Sequence, residues 1–588
     1  MRDRFLPRFH PWLLLSFLLL GTWLRWNHLP SKPLWMDEVI TALFSLGKTY
    51  FDIPVEQSVP LETIAQVFRL QPTTCSAIAE TIATQSVHPP LFFCWLHSWL
   101  QLLQLGGLDH WGFNWMWQLR SLPALVGVGA IAVMYWLNRL AFSAKAGLFA
   151  AALMSVSPFA VYLSQEARHY TVPMLVISLA LIALVQIQRD WQQWRYDWRP
   201  WLAWILCNSI GFYLHYFCLL STVAQIGSLA LLWIYRFRNQ LRQTSIAQAK
   251  YFLISIFLIL VSYLPIAQTF IGHMTRSETD WMKPFESSFW TAIAPLYQIP
   301  MGWLLMIIAL PVEQQPLPIA IGSGLLMALL GIGIGTIAVR QWKAIAQQTE
   351  TRESLLVLGS FTGIIVLEFL AIALILQKDL TQVPRYNFIY YPAICALLGA
   401  ALANFTQPAK SFFQPWQAWG TVAIGIMSSI FVTHNLALQK PFHPDQVAQQ
   451  ILAPATLASQ QHAVATNSAS SPTTQVVMAY QDFQDLALGT AFALALRSQI
   501  TAPGIPSPTP ALASVQFSFL SRQPGYDRLW QQLTQLPARD WLWLIAPDLR
   551  QRDFPQQIQI SQHNCQRDPQ RYYRIGIPYQ GYRCQPGE

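Results

Sequence analysis

The chain has 588 residues, 53% of them hydrophobic and 11% charged, with a formal net charge of +9. Soluble domains carry about 25% charged residues, so a disordered or nucleic-acid-binding protein is excluded as the main reading, because both need charge density and polar surface. The 25 Trp and 33 Phe agree with a polytopic membrane protein, since aromatic side chains gather at bilayer interfaces.

A basic flank, MRDRFLPRFH, precedes the apolar run PWLLLSFLLLGTWLRW. No small-residue cleavage site follows, so this segment is expected to be an uncleaved anchor that starts in the cytoplasm. Further stretches of spanning length lie near 120–138, 146–163, 171–188, 200–215, 217–235, 251–271, 317–339, 354–377, 387–404 and 417–435. With the first they predict about eleven membrane helices.

Charge decides the topology of the ambiguous run Pro89–Gly106. If it lies along the membrane surface, 16 basic residues of the short loops fall inside and five outside. The five are Arg168, Arg276, Lys283, Lys378 and Arg385. If it spans, the count becomes 8 inside and 13 outside, against the positive-inside rule. The stretch Trp201–Tyr235 is too long for one crossing and is expected to turn near His215 and Tyr216. Met301–Pro311 is too short to span. The C-terminus then falls outside, and so does a long first loop, about 28–119.

That loop opens with PLWMDEVITALFS, in which Asp37 and Glu38 stand among apolar residues just past the first helix. A carboxylate at such a boundary can gain proton affinity and serve as a base; an acidic first turn of a surface helix is the plain alternative. Two adjacent acids make a weak metal site, so a divalent metal stays open. Later in the loop, His88-Pro89-Pro90 starts an amphipathic, aromatic-rich helix.

The next outer cluster, SPFAVYLSQEARHYTVPML, holds Gln165, Glu166, Arg168, His169 and Tyr170. Arginine grips phosphate through a rigid fork; a Glu166–Arg168 pair or a headgroup contact is the alternative. In KDLTQVPRYNFIYYP, Arg385 and Tyr386 follow Pro384. All these clusters map to one side of the membrane. Glu368 is a lone acid within a span and a functional candidate by position, with helix packing as its alternative; Asn208 reads as structural.

The tail from about 440 reads as a small α/β domain after a linker from Ala453 to Thr474. VVMAY, SVQFSFL and WLWLIAP read as strands, with DLALGTAFALAL and GYDRLWQQLTQL as helices between them. Cys565 and Cys584, 19 apart in this tail, are expected to pair if it faces an oxidising space. Cys94, Cys207, Cys218 and Cys395 lie in apolar runs and read as core thiols.

Taken in order, WMDE, HPPLFFCWLHSWL, QLRSLPALVGV, SPFAVYLSQEARHY and VPRYNFIYYP resemble the bacterial GT-C membrane glycosyltransferases related to dolichyl-phosphate-mannose protein mannosyltransferases. The resemblance is specific over about 11–190 and weaker to about 440. It implies a polyprenyl-phosphate sugar donor, inverting transfer on the outer face and an acidic base at Asp37, with Glu38 beside it. His88, Arg120 and Arg168 match its motif positions, and Glu166, Tyr170, Arg385 and Tyr386 complete the expected substrate site.

The expected protein is therefore an α-helical polytopic membrane protein of the GT-C fold with a small C-terminal α/β extracytoplasmic domain. Residues 1–439 form the transferase domain and 440–588 the soluble domain. It is expected in the cell membrane, inner or plasma, with a cytoplasmic N-terminus. Its expected partners are the lipid-linked sugar, membrane lipids and an acceptor glycan, lipid or protein, with hexosyl and pentosyl transfer both open and no nucleic acid. A multi-span transporter is the rival class; it would place ionisable groups near the bilayer midplane.

Overall fold

A computed structural model describes residues 6–105, 115–195, 197–237, 243–276, 289–406, 414–463, 473–501 and 514–586. Arg2, Arg4, Arg238, Arg242, Lys283, Lys410 and part of the expected linker lie outside the described residues. The chain forms two compact units. One comprises Met1–Leu29, Ile82–Leu96 and Gly112–Gln439; the other comprises Pro30–Thr81, His97–Trp111 and Lys440–Glu588.

The first unit is helical. Every expected span coincides with a helix or a bent helix pair: Leu6–Trp26, Trp115–Ala141, Ala144–Val156 with Pro158–Ser164, Thr171–Gln192, Arg199–Leu214, Cys218–Phe237, Gln243–Met274, Leu317–Ala346, Arg352–Ile375, Tyr391–Phe405 and Gln414–Thr433. Among the described residues, six helices are long and apolar enough to cross a membrane, or seven if the pair bent by 56° is one span. These helices make the chain an integral membrane protein. The run at Met301 is the end of a helix that starts upstream, Phe289–Leu305, with Pro295 and Pro300 inside it. The Trp201–Tyr235 stretch breaks at His215, as its length requires, because Leu214 ends one helix and Cys218 starts the next.

Small residues let these helices approach closely, the usual basis of packing where lipid removes the hydrophobic drive. A Cβ at Gly399 would lie 2.8 Å from the Ala150 nitrogen. One at Gly127 would lie 2.2 Å from the Ser164 hydroxyl. The bend before Pro158 is built by Ser157. Its hydroxyl accepts from the Ala160 N–H at 3.2 Å and donates to the Met306 carbonyl at 2.6 Å. Pro158 then occupies the first helical turn, where its missing N–H costs nothing. This short helix delivers residues 165–170 to the helix end.

The second unit is built on a seven-stranded sheet. Its strands are β1 (Ser58–Pro60), β2 (Thr474–Tyr480), β3 (Val515–Ser521), β4 (Trp541–Ile545), β5 (Gln557–Ile560), β6 (His563–Ile575) and β7 (Ile577–Pro586), in the order β1-β3-β2-β4-β7-β6-β5. β2 is parallel to both β3 and β4, and the remaining pairs are antiparallel. The expected strands and helices of the tail all appear. β2 is buried along nearly its whole length, which is why it reads as a continuous apolar run and not as an alternation. The helix Phe483–Ile500 starts at Asp482, whose side chain accepts from the Gln484 and Asp485 N–H groups, an N-cap of the preferred kind.

The tail does not form this sheet alone. β1 comes from the first loop and pairs with β3, Val59 opposite Phe517. Tyr50 stacks on Phe483 with ring centroids 4.4 Å apart, and Glu62 pairs with Arg497 at 2.7 Å. The helix Pro444–Ala463 runs into the segment expected to be a linker, so that expectation is corrected at its first half. Alanine and glutamine favour helix as readily as they fill loops. Cys565 and Cys584 are bonded, as expected, across the opposed positions of β6 and β7. Cys207, Cys218 and Cys395 are free thiols. Cys94 is instead disulfide-bonded; its apolar neighbours masked a covalent role.

Candidate active site

The two acids of WMDE lie in the second unit, in the first turn of the helix Met36–Ser45. Trp35 occupies the N-cap and offers no side-chain cap. Asp37 and Glu38 are 8% and 2% exposed, so the helix is not the solvated surface helix of the plain alternative. The helix packs against Phe483–Ile500 of the tail. Its C-terminal end is fixed by His97, whose Nδ1 bonds the Ser45 carbonyl at 2.8 Å. The side chains of two adjacent helical residues point about 100° apart. The helix N-terminus favours their anionic form.

The expected arginines, His88 and the tyrosines converge in the first unit. Arg168 donates through Nη2 to His88 Nε2 at 3.0 Å. The guanidinium carbons of Arg168 and Arg385 lie 5.7 and 5.8 Å from the centroid of the Tyr170 ring. Tyr386 reaches the same ring at 6.4 Å. Glu166 is hydrogen-bonded by Tyr162. Arg168 and Tyr170 are 3% and 1% exposed. Two cations about one aromatic ring repel each other, the more so in a medium of low polarity. A bound anion offsets that repulsion, and a guanidinium pair matches the oxygens of a phosphate.

Backbone anchors hold this constellation. Gln165 Nε2 donates to the Asn27 carbonyl at 2.8 Å and to that of Leu24 at 3.2 Å, tying the 165–170 turn to the end of the first helix. Arg25, fully buried, donates to the Met154 and Ser155 carbonyls at 2.8 and 3.0 Å, where a helix C-terminus welcomes positive charge. Arg276 donates to the Ala83 and Ser86 carbonyls at 2.6 and 2.8 Å, so a residue noted only for its charge positions the backbone that leads into His88. Arg120 is buried and donates to the Leu29 carbonyl at 2.9 Å, just past the end of the first helix.

Two histidines join the site that were not singled out as ligands. His169 lies with its ring centroid 4.8 Å from His88 and 4.6 Å from His215. His215 entered the sequence reading only as a turn. The available signal was a polar break between two apolar helices on the same expected side as the arginines. Burial holds the His169 pKa well below its ordinary 6.5, and His215, Arg168, His88 and Arg385 push it further the same way. Among the described residues, no three His, Cys, Asp or Glu side chains are arranged to hold a metal ion.

Comparison with known proteins agrees with the resemblance read from the motifs. Residues 88–266 match the family profile described as dolichyl-phosphate-mannose-protein mannosyltransferase. No curated protein matches the chain. Among solved structures, ArnT from Cupriavidus metallidurans bound to undecaprenyl phosphate is similar at 11% identity, with 97% of each chain covered and a TM-score of 0.48. The Archaeoglobus fulgidus oligosaccharyltransferase tethered with an acceptor peptide is similar at 13% identity and a TM-score of 0.41. That match covers 83% of this chain, which spans 64% of the length of the archaeal enzyme.

Proposed function

We propose that the protein is an integral-membrane glycosyltransferase that moves a hexosyl or pentosyl group from a polyprenyl-phosphate donor to an acceptor hydroxyl, with inversion. The observation that carries this reading is the cluster of buried Arg168 and Tyr170 with half-buried Arg385 and His88; His88, Arg168 and Tyr170 lie in the region matching the mannosyltransferase profile. Arg168 and Arg385 hold the donor phosphate, Tyr170 and Tyr386 line its site, and Glu166 orients the arginines. Asp37 accepts the acceptor proton as the hydroxyl oxygen attacks the anomeric carbon, and Glu38 places the acceptor. The bond from that carbon to the phosphate oxygen breaks, and the guanidinium charge stabilises the departing phosphate. Arg120 shapes the site from the first-helix end.

The reaction belongs to the outer face of the cell membrane, with the N-terminus in the cytoplasm and the tail outside, which the loop-charge asymmetry supports. The acceptor is a glycan, lipid or protein. The test is reconstitution of the full chain in liposomes with a panel of polyprenyl-phosphate sugars, following lipid-phosphate release. Release that depends on both donor and acceptor supports the reading. Solute uptake without release would favour a transporter.

A further inference from the structure

Resting on the lipid-phosphate reading above, we propose that His169 takes up a proton as the leaving phosphate forms beside Arg168 and Arg385, so that the site gains positive charge in step with the negative charge of its product. The proposal names a further residue for the chemistry and a reason for the histidine cluster.

The geometry distinguishes the three imidazoles. Arg168 can only donate, so His88 Nε2 accepts and the His88 proton sits on Nδ1. His215 Nδ1 accepts from the Phe217 N–H at 3.1 Å, which places the His215 proton on Nε2. Both rings have a nitrogen already committed. His169 lies between them, 1% exposed, and neither of its nitrogens has a hydrogen-bond partner among the described residues. A buried imidazole without a partner is costly, and such groups concentrate where a ligand completes them.

The groups facing His169 are His88, His215, Arg168, Arg385 and Tyr170, with Phe92 and Phe93 on the apolar side. Glu166 precedes it by three residues and is bonded to Tyr162. Cations and low polarity therefore keep the ring neutral in the empty site. The donor phosphodiester brings one negative charge. When its bond to the anomeric carbon breaks, the electron pair stays on the phosphate oxygen and a second charge appears. The acceptor proton goes to Asp37. The added charge raises the proton affinity of the nearest free imidazole, and His169 takes a proton from water. The same two arginines lower the phosphate's own proton affinity, so the lipid does not take that proton.

Isothermal titration of the full chain in nanodiscs with farnesyl phosphate, in buffers of different ionisation enthalpy, tests this near pH 7.5, above the phosphate's second pKa of about 6. The wild type is expected to take up between about half a proton and one proton per phosphate bound. Farnesyl methyl phosphate, a diester of fixed single charge, should bind without uptake. His169→Gln should lose the uptake and bind the monoester about twofold to about tenfold more weakly, as uptake of about half to about nine-tenths of a proton implies, while diester affinity changes little. His215→Gln should keep the uptake. Unchanged uptake in His169→Gln, or proton release by the wild type, overturns the proposal and leaves the lipid-phosphate reading standing. Absence of uptake when the wild type binds the monoester overturns the proposal even if His169→Gln fails to fold. Absence of any farnesyl phosphate binding to the wild type overturns both.

Discussion

Arg168 and His88, eighty positions apart in the chain, meet through a single hydrogen bond of 3.0 Å from Nη2 to Nε2. The guanidinium carbon lies 5.7 Å from the Tyr170 ring centroid, and the bond leaves His88 neutral, since its acceptor nitrogen is engaged. The pair links the turn after Ser164 to the His-Pro-Pro segment that leads into the helix Leu91–Leu105. It brings two motifs from separate loops together.

Replacement of Arg168 by lysine keeps the charge and loses the planar fork. Turnover at limiting donor should fall by about tenfold or more, the cost of about one charge-assisted bond of 1.5–3 kcal/mol, with expression and membrane insertion unchanged. Arg385→Lys should behave in the same way. Parent-like rates for both variants, at limiting as well as saturating donor, would show that neither arginine recognises phosphate by its geometry.

Asp37→Asn preserves size and cannot accept a proton. Single-turnover rates should drop by about 10²–10⁴-fold, the usual contribution of a general base, with donor binding retained. Glu38→Gln should cost less. A large loss for Glu38→Gln beside near-normal Asp37→Asn reassigns the base, and normal rates for both remove the acid pair from the chemistry.

Topology follows from loop charge. A single cysteine in place of Arg195 should resist an impermeant thiol reagent added outside intact cells, whereas one at Gln382 should react. Labelling at Arg195 with protection at Gln382 would mean that Pro89–Gly106 crosses the membrane and that the orientation is inverted.

The buried, neutral His169 makes the ligand-free protein acid-sensitive. Its folded pKa lies well below 6.5, so below about pH 6.5 the unfolded state binds a proton that the folded state refuses. Stability then falls as pH falls from about 6.5 toward the folded value and is flat above it. Melting temperatures between about pH 5 and 8 should show this slope, and His169→Gln should make it shallower. An equal slope in that variant would place the sensitive group elsewhere.

Apolar run lengths were enough to place a helix at every expected span, because burial in lipid demands an uninterrupted stretch that local composition displays. The break at His215 was legible for the same reason. The tail's strands and helices were legible from pattern, and the Cys565–Cys584 bond from spacing and context. Asp37, His88, Arg168 and Arg385 were visible as motif residues. How the last three meet was not: hydrogen bonds such as Arg168 to His88 join positions that no periodicity relates. Nor did composition reveal that the loop holding Asp37 lends β1 to the tail's sheet, since strand pairing depends on partners more than 400 residues away. His169 shows the same limit. Its chemistry comes from being enclosed by His88, His215, Arg168 and Arg385, and only the tertiary structure brings those four charges and rings around one imidazole.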